Sequence, residues 1–355
     1  MAVAEARERL GAVPIRPARL RVGWVALGVA CLIGAAMLGV FIGAVGISPV
    51  EALRKLFGWL PFVPASKLSA QQEAILMQLR LPRVVLAAMV GATLSMSGTA
   101  YQGAFRNPLA DPYLLGAAAG AGLGATFVIA YTPSGVGSNW MPVAAFVGAL
   151  LAVALAYAVG HAGGAGRTAT ALVLAGIAVA SFLTAVQTFM QQRRSETLRE
   201  VYGWILGRLS TVGWHDVLLA LPYVAVGAAV ILAHRRLLDV LAVGDEEAES
   251  LGLRARRIRL IVVVAASLST AAAVAVSGLI GFVGLIVPHI VRLIAGNSYR
   301  VILPLSICFG GAFLILCDLI GRTMIAPAEL PIGVITAFFG APFFALVLRT
   351  SRRMP

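Results

Sequence analysis

Charged residues are scarce in this sequence. Asp, Glu, Lys and Arg together account for 12% of its 355 residues, whereas soluble domains carry about 25%. Hydrophobic residues make up 60% of the chain, and the mean hydropathy is +0.92. This composition excludes an ordinary soluble protein. It predicts an all-α, polytopic membrane protein, because a helical crossing of the hydrocarbon core requires about 20 apolar residues.

Cysteine and histidine are also scarce. The three cysteines, Cys31, Cys308 and Cys317, all fall in predicted membrane spans, and none has the C-x-x-C spacing of a metal or redox site. We expect them to be small apolar packing residues. The four histidines are dispersed, and no H-E-x-x-H motif or nucleophile elbow is present. The sequence therefore predicts neither an enzyme nor a metal centre or cofactor held by this chain.

Lysine is nearly absent, and this bears on how the protein obtains energy. The only two lysines, Lys55 and Lys67, do not follow the glycines of a P-loop, so the chain has no P-loop of its own for nucleotide hydrolysis. An ion-coupled carrier would need titratable groups at mid-membrane, and Asp318 is the only clear candidate. Arg322 lies four residues further on the same helix face. We favour a structural ion pair there, and an ion-coupled secondary transporter stays as the alternative.

Ten apolar stretches are long enough, or nearly so, to be membrane spans. We predict spans at 22–46, 84–103, 113–131, 141–160, 168–191, 214–233, 258–280, 282–294, 301–321 and 331–348. The eighth span is short and marked by Gly and Pro in GFVGLIVPHIVR, which predicts a partial helix packed inside the protein. The expected organisation is a basic segment at 1–21, a membrane domain at 22–348 and a tail at 349–355.

The distribution of basic residues predicts the orientation. With the N-terminus in the cytoplasm, 18 of the 28 Lys and Arg residues lie inside and 10 lie outside. This bias favours a cytoplasmic location for both termini of a multi-pass protein in the bacterial cytoplasmic (inner) membrane. The net charge of +13 could indicate nucleic-acid binding. The charges are scattered over short loops on both sides of the membrane, however, so we expect no nucleic-acid partner.

One inward loop is unusually acidic. The segment LAVGDEEAESLGL carries four acids within five residues, namely Asp245, Glu246, Glu247 and Glu249. Acids at the start of a helix complement its dipole, and Gly244 and Gly252 bracket the segment. The pattern predicts a short helix parallel to the membrane. A solvated connector is the alternative, and the acidic cluster favours a face that meets another protein.

Several motifs together resemble one family. They are LRLPR at 79–83, FRNPLADPYLLG at 105–116, LVLAGIA at 172–178, LAVGDEEAESLGL at 241–253, SGLIGFVGLIVPHIVR at 277–292 and AELPIGVITAFFGAPFF at 328–344. With these motifs, nearly the whole chain after residue 74 is similar to permease subunits of type II ATP-binding-cassette (ABC) importers, the FecCD family, which takes up ferric siderophores, haem and cobalamin.

The resemblance implies an assembly and a set of site residues. Members have ten spans, form dimers around a central pathway, bind two ATPase subunits that hold ATP and Mg²⁺, and receive cargo from an extracytoplasmic binding protein. By similarity, Arg80, Arg83 and Arg322 pair with glutamates of that binding protein. The matching coupling helix, which sits in a groove of the ATPase, contains Gly244, Asp245, Glu246, Glu247, Glu249, Leu251 and Gly252. Thr168 and Thr170 match the inner gate of the pathway.

The resulting hypothesis is a homodimeric permease that moves a metal chelate into the cell. We favour a ferric siderophore as cargo, with haem or cobalamin as the alternative in the same architecture. The spans hold no clusters of Cys, His or carboxylate side chains, which suits a shielded complex better than a bare metal ion. A weakly binding passage also suits transport, because a tight site would retain its cargo.

Overall fold

The computed structural model describes residues 20–132, 137–162, 169–210 and 213–351, and within these ranges it contains helices and connecting segments without strands. In chain order the helices are α1 Val22–Phe41, α2 Pro49–Leu56, α3 Ala70–Ala74, α4 Leu81–Phe105, α5 Ala117–Tyr131, α6 Gly137–Ala162, α7 Ala169–Arg193, α8 Leu198–Ile205, α9 His215–Ala233, α10 Arg235–Val243, α11 Asp245–Ser250, α12 Ala255–Ser277, α13 Val283–Ala295, α14 Tyr299–Thr323 and α15 Ile332–Ser351. A π-helical segment, Ile75–Arg80, joins α3 to α4, and short 3₁₀ helices cover Pro112–Leu115 and Ser195–Thr197.

Each of the ten predicted spans contains one apolar helix, so the all-α polytopic fold is confirmed. Seven helical segments of the described chain are long and apolar enough to cross a membrane, and three further apolar helices are shorter. Several helix boundaries differ from the prediction by a few residues. Helix α1 ends at Phe41, before the predicted end at residue 46, and α15 continues to Ser351, beyond the predicted end at 348.

Helices α4, α12 and α14 form the centre of the bundle. About 72% of the most apolar window of α12 and 67% of that of α14 are buried, against 22% for the corresponding windows of α1, α6, α7 and α9. Small residues allow this close approach: a Cβ added at Gly91 of α4 would overlap the carbonyl oxygen of Gly310 in α14. Apolar burial does not drive helices together within lipid, so close packing of small residues holds such a core.

Helix α13 confirms the predicted partial helix. It has 13 residues, which at 1.5 Å per residue span only about 20 Å of a hydrocarbon core about 30 Å thick. Gly284, at its start, packs against Gly98 of α4, and the side-chain amide of Gln102 donates a hydrogen bond to the Gly284 carbonyl at 2.9 Å. The non-helical backbone before α13 is therefore enclosed by protein, which is where such backbone is tolerated at membrane depth.

Helix α4 runs antiparallel to α12 and α14, and the bundle has two distinct ends. At one end, which we name the arginine end, α1 and α14 finish and α4 begins, and Arg83 contacts Asp318 there. At the other end, which we name the α11 end, α4 finishes and α12 and α14 begin. Contacts of Asp245 with Arg259 and of Asp239 with the Tyr299 amide hold this second end together.

Candidate functional site

Arg83 is the centre of the arginine end. Its guanidinium donates three hydrogen bonds to the Asp318 carboxylate, at 2.8 to 3.1 Å, and two to the Glu329 carboxylate, both at 2.9 Å. Asp318 is only 3% exposed. Hydrogen bonds between ions in such a site are strong, and removing one partner leaves a buried charge uncompensated. The contacts assign Asp318 to a structural ion pair.

Glu329 forms the outer half of this cluster. It lies in the connection between α14 and α15, and its side chain is 47% exposed. Hydrogen bonds from Arg83 hold the pKa of the Glu329 carboxyl below its usual value of 4.5. Glu329 is therefore ionised at neutral pH, and its contact with Arg83 is open to solvent. A carboxylate from outside the chain could compete for the same guanidinium.

Arg80 braces the end of α1. It is 5% exposed, and its guanidinium donates hydrogen bonds to the carbonyls of Val40 at 3.2 Å, Phe41 at 3.3 Å, and Val45. The last carbonyls of a helix have no partner within the helix and carry its negative dipole end, so an arginine stabilises them. Arg80 is thus not the free surface charge that LRLPR suggests.

Arg322 has a similar position. Its guanidinium donates a hydrogen bond to the Gly39 carbonyl near the end of α1, and its Nε lies 3.7 Å from a carboxylate oxygen of Asp318. The predicted Arg322–Asp318 pair is confirmed, although Arg83 makes the closer contact with Asp318. The structure brings the three predicted docking arginines together, and their docking role stays a prediction.

Sequence reasoning missed two residues of this region. A cleft of about 140 Å³ is lined by Arg83, Arg208, Asp318 and Glu329, among others. Arg208 follows the segment YGWILG, and Glu329 starts the segment ELP. Each is a charged residue next to an apolar or aromatic stretch, which is a weak signal of an interfacial position. No local pattern could have placed either residue beside Arg83.

The α11 end is held by a different ion pair. Asp245, the first residue of α11, accepts a hydrogen bond from Arg259 of α12 at 2.7 Å, and Arg106 lies 3.8 Å away. Arg259 also donates to the Ala104 carbonyl near the end of α4, at 2.7 Å. Through Asp245, α11 is connected to two of the three core helices.

The glutamates of α11 face away from the protein. Glu246, Glu247 and Glu249 are exposed, Ala248 is buried, and Leu251 is 70% exposed just after the helix. Gly252 has φ +77, the left-handed conformation that favours glycine at a helix end. The predicted helix at Gly244–Leu253 is therefore present, with six helical residues.

Helix α10 anchors the same end to α14. The carboxylate of Asp239 accepts hydrogen bonds from the backbone amide of Tyr299 at 2.6 Å and from the hydroxyl of Ser298 at 2.8 Å. Arg300 lies 3.2 Å from the same carboxylate. These contacts fix the segment that leads into α11.

The predicted gate residues lie at or beyond the limit of the described structure. Thr168 lies outside the described residues, and Thr170 is in α7, where the description does not include its side chain. Further along α7, Ser181, Thr184 and Thr188 line a groove of about 850 Å³, with Asp111 and Tyr113 also in its wall. The hydroxyl of Tyr113 donates to the Ile280 carbonyl at 3.2 Å, which connects the groove to the backbone before α13.

Within the described residues no group of three or more His, Cys, Asp or Glu side chains could hold a metal ion. The candidate site features in these residues are the two charged ends and the groove lined by hydroxyls.

Comparison with known proteins gives a consistent result. The model of the FecCD transport family matches residues 31–350. The cobalamin import system permease protein BtuC of Halobacterium salinarum is 47% identical over 78% of this chain and 74% of its own length. The uncharacterized ABC transporter permease protein YvrB of Bacillus subtilis is 39% identical over 92% of this chain and 93% of its own length. An inward-facing structure of a metal-chelate type ABC transporter superposes with a TM-score of 0.81 at 27% identity, covering 93% of this chain and all of that one. On this evidence the chain belongs to the FecCD transport family.

Proposed function

We propose that this chain is the permease subunit of an ATP-driven ABC importer that moves a metal chelate into the cytoplasm. One observation carries the proposal beyond family membership: α11 presents acidic side chains outward while Asp245 connects it to α12. An exposed element that is hydrogen-bonded to the core can pass a movement of a bound partner to the membrane helices. That partner would be the ATPase subunit, which would bind ATP and Mg²⁺.

The proposed orientation places the α11 end in the cytoplasm and the arginine end outside. Basic residues cluster at the α11 end, including Arg235, Arg236, Arg254, Arg256 and Arg257. An excess of Lys and Arg near the ends of spans is typical of the cytoplasmic side. The arginine end would then face the extracytoplasmic binding protein.

The groove along α7 supports a second permease subunit, which we propose to be an identical chain. Polar side chains within a membrane span usually face the protein interior or a water-filled cavity. In a single chain three hydroxyl-bearing residues of α7 are instead exposed and line the open groove, namely Ser181, Thr184 and Thr188. A second copy packed beside α7 would enclose the groove as a pathway lined by hydroxyls, which bind cargo weakly enough to release it.

Two cargo classes follow from different observations. A hydroxyl-lined groove offers a shielded chelate weak contacts, and a ferric siderophore is our first candidate. Cobalamin is the second candidate, because the relative with 47% identity is named a cobalamin import system permease protein.

The proposal is tested by reconstituting the chain in liposomes with its ATPase and binding protein. We expect ATP hydrolysis to rise when the binding protein is loaded with one of ferric hydroxamate, ferric citrate, haemin or cobalamin, and the active compound identifies the cargo. Uptake driven by an ion gradient without ATP would overturn the proposal in favour of a secondary transporter.

A matched pair of variants tests the role of α11 in this assay. Glu246→Lys with Glu249→Lys reverses two exposed acids at the α11 end, and Glu196→Lys with Glu200→Lys makes the same change at the arginine end. The first pair should abolish association with the ATPase, and the second should not. Equal association in both would contradict the proposed contact.

A further inference from the structure

A small cavity, which we name the notch, lies between α6, α7 and α12 at the α11 end. Its volume is about 30 Å³. The lining includes two arginines, two adjacent rings and an exposed leucine, namely Arg256, Arg259, Tyr157, His161 and Leu260. A cavity of this size holds about two water molecules or one small polar group. The notch therefore suits one charged group of a larger ligand, the rest of which lies outside it.

Arg256 is the arginine of the notch that is available to a ligand. It is exposed, and no hydrogen bond or ion pair reaches its guanidinium from the part of the chain that the structure describes. Arg259 is occupied, because its guanidinium donates to the Asp245 carboxylate and to the Ala104 carbonyl, both at 2.7 Å. An arginine without a carboxylate partner is suited to binding a phosphate group, whose oxygens match its planar set of donors.

His161 adds a second polar group to the notch. Its Nδ1–H donates a hydrogen bond to the Tyr157 carbonyl at 2.8 Å, because a carbonyl oxygen can only accept. The other ring nitrogen, Nε2, has no hydrogen-bond partner among the described residues. Nε2 can accept from a hydroxyl when the ring is neutral and can donate to a phosphate oxygen when the ring is protonated.

Arg256 also begins an apolar row on α12. Leu260 and Val264 follow it at intervals of four residues, which places all three on one face of the helix. Leu260 is 37% exposed and Val264 is 55% exposed, in a helix that is mostly buried. The helix is long and apolar enough to cross a membrane. Lipid chains rather than water therefore meet this row.

The notch lies at the depth of the lipid headgroups. The charged sequence RARRIR ends at Arg259, and the apolar sequence LIVVVAA begins at Leu260. Tyr157 fits this level, since tyrosine is enriched where a span meets the membrane surface. At 1.5 Å per residue, the row from Arg256 to Val264 spans about 12 Å, close to the depth of one leaflet of a hydrocarbon core about 30 Å thick.

We propose that the notch and the row bind one anionic phospholipid of the leaflet at the α11 end. The phosphate lies against Arg256 and His161, and an acyl chain lies along Leu260 and Val264. Basic pockets between membrane helices are typical sites for anionic headgroups. A free phosphate ion or an acidic soluble protein would contact Arg256 and leave the apolar row uncovered, so the two features together favour a lipid.

The site adjoins the connection of α11 to the core. Arg259 both lines the notch and holds Asp245 of α11. A headgroup in the notch also contacts α6 and α12, which pack against each other. A bound lipid should therefore stabilise this end of the bundle, because a ligand that binds only the folded state shifts the unfolding equilibrium. The inference goes beyond the proposed function, since neither cargo nor ATP takes part.

The test is native mass spectrometry of the purified, delipidated full chain in detergent, titrated with phosphatidylglycerol or with phosphatidylcholine that carries the same acyl chains. The wild type should bind phosphatidylglycerol about fivefold more tightly. Arg256→Gln should reduce this preference to less than about twofold. Arg236→Gln on α10 is the matched control, an exposed arginine at the same end that does not line the notch. It should keep the preference.

An equal loss of preference in both variants would overturn the inference, because it would indicate diffuse attraction to surface charge. An unchanged preference in Arg256→Gln would overturn it as well.

A second pair of variants distinguishes a lipid from a free anion. Leu260→Ala should weaken binding of both lipids by roughly twofold to threefold, because it removes apolar contact and leaves the charges in place. Leu218→Ala, an exposed leucine at the start of α9, is the control and should have no effect. Inorganic phosphate should not displace phosphatidylglycerol. Displacement by phosphate would overturn the lipid assignment in favour of a site for a small anion.

Thermal unfolding keeps the test independent of folding defects. Without lipid, all four variants should unfold at the wild-type temperature, since every substituted residue is exposed. Phosphatidylglycerol should raise the unfolding temperature of the wild type and of Arg236→Gln, but not that of Arg256→Gln. An equal rise in Arg256→Gln would contradict the site. Neither readout uses a binding protein or ATP, so failure here leaves the proposed importer function standing, and failure of the transport assay leaves the lipid site standing.

Discussion

The two ends of the bundle use charge in opposite ways. At the arginine end, Arg83 faces Asp318 and Glu329, and Arg80 faces the end of α1, so most of the charge is neutralised within the chain. At the α11 end Asp245 and Asp239 are paired inward, whereas Glu246 and Glu249 of α11 face outward. Both kinds of charge look alike in sequence. The contacts of each side chain distinguish the charges that hold the fold from those that are available to a partner.

The largest expected effect comes from removing the buried centre of the arginine end. Asp318→Asn leaves Arg83 and Arg322 without their buried countercharge, which should destabilise the protein by about 3 to 5 kcal/mol. The measurement is thermal unfolding of the purified protein in detergent. Glu196→Gln, in an exposed ion pair, is the control and should change stability by less than about 1 kcal/mol.

If Asp318→Asn unfolds at the same temperature as the wild type, the buried ion pair does not stabilise the fold. The contrast drawn between the two ends would then be wrong. Loss of transport in this variant would not by itself indicate ion coupling, since misfolding has the same result.

At the α11 end, charge reversal should affect coupling rather than stability. Glu246→Lys with Glu249→Lys should lower cargo-stimulated ATP hydrolysis by at least about tenfold while changing the free energy of unfolding by only about 0.5 kcal/mol, as for exposed substitutions. The measurements are ATP hydrolysis in liposomes and thermal unfolding. A marked loss of stability would show that these glutamates hold the fold after all.

Asp245→Asn tests the ion pair that connects α11 to α12. Its pair with Arg259 is partly exposed, so its loss should destabilise the protein by about 1 kcal/mol. The stimulated rate of ATP hydrolysis should fall while the ATPase still binds, because α11 is then less firmly connected to α12. Asp245→Glu, which keeps the charge, should restore part of the rate. If Asp245→Asn keeps the full stimulated rate of ATP hydrolysis, other contacts pass the movement of the ATPase to the membrane helices.

The smallest expected effect is on pH dependence. Hydrogen bonds from Arg83 lower the pKa of Glu329. A lowered pKa means that the stabilising contribution is present above the usual pKa of 4.5 and is lost as the pH falls through the folded-state pKa.

The difference in unfolding temperature between wild type and Glu329→Gln should therefore be larger at about pH 6 than at about pH 3.5. Since the side chain is 47% exposed, solvent screening keeps this difference small. An equal difference at both pH values would show that the Arg83–Glu329 contact adds nothing to stability.

Much of the fold was predictable because its signals are local. Apolar run length located a helix in each of the ten predicted spans, of which seven are long enough to cross a membrane, and the short α13 followed from its length and from its Gly and Pro residues. Gly252 correctly marked the end of α11 because a left-handed residue there favours glycine.

The candidate site was only partly predictable. Arg83 and Asp318 are 235 positions apart, and Arg83 and Glu329 are 246 apart. Arg80 was expected at an exposed surface. The residues next to it in sequence do not reveal that it contacts the last carbonyls of α1, which lie about 40 residues earlier in the chain. Arg208 was overlooked because its significance depends on the cleft that it shares with Arg83.

The membrane class, the helical spans and the place of the acidic α11 depend on runs of neighbouring residues, and hydrophobic length and helix-end chemistry act over such runs. The pairing of charges and the choice of core helices are different. They depend on distances between segments that are remote in sequence. Coulombic and hydrogen-bond energies depend on separation in space, so only the folded chain decides that Arg80 is paired with the end of α1 while Glu246 and Glu249 are exposed.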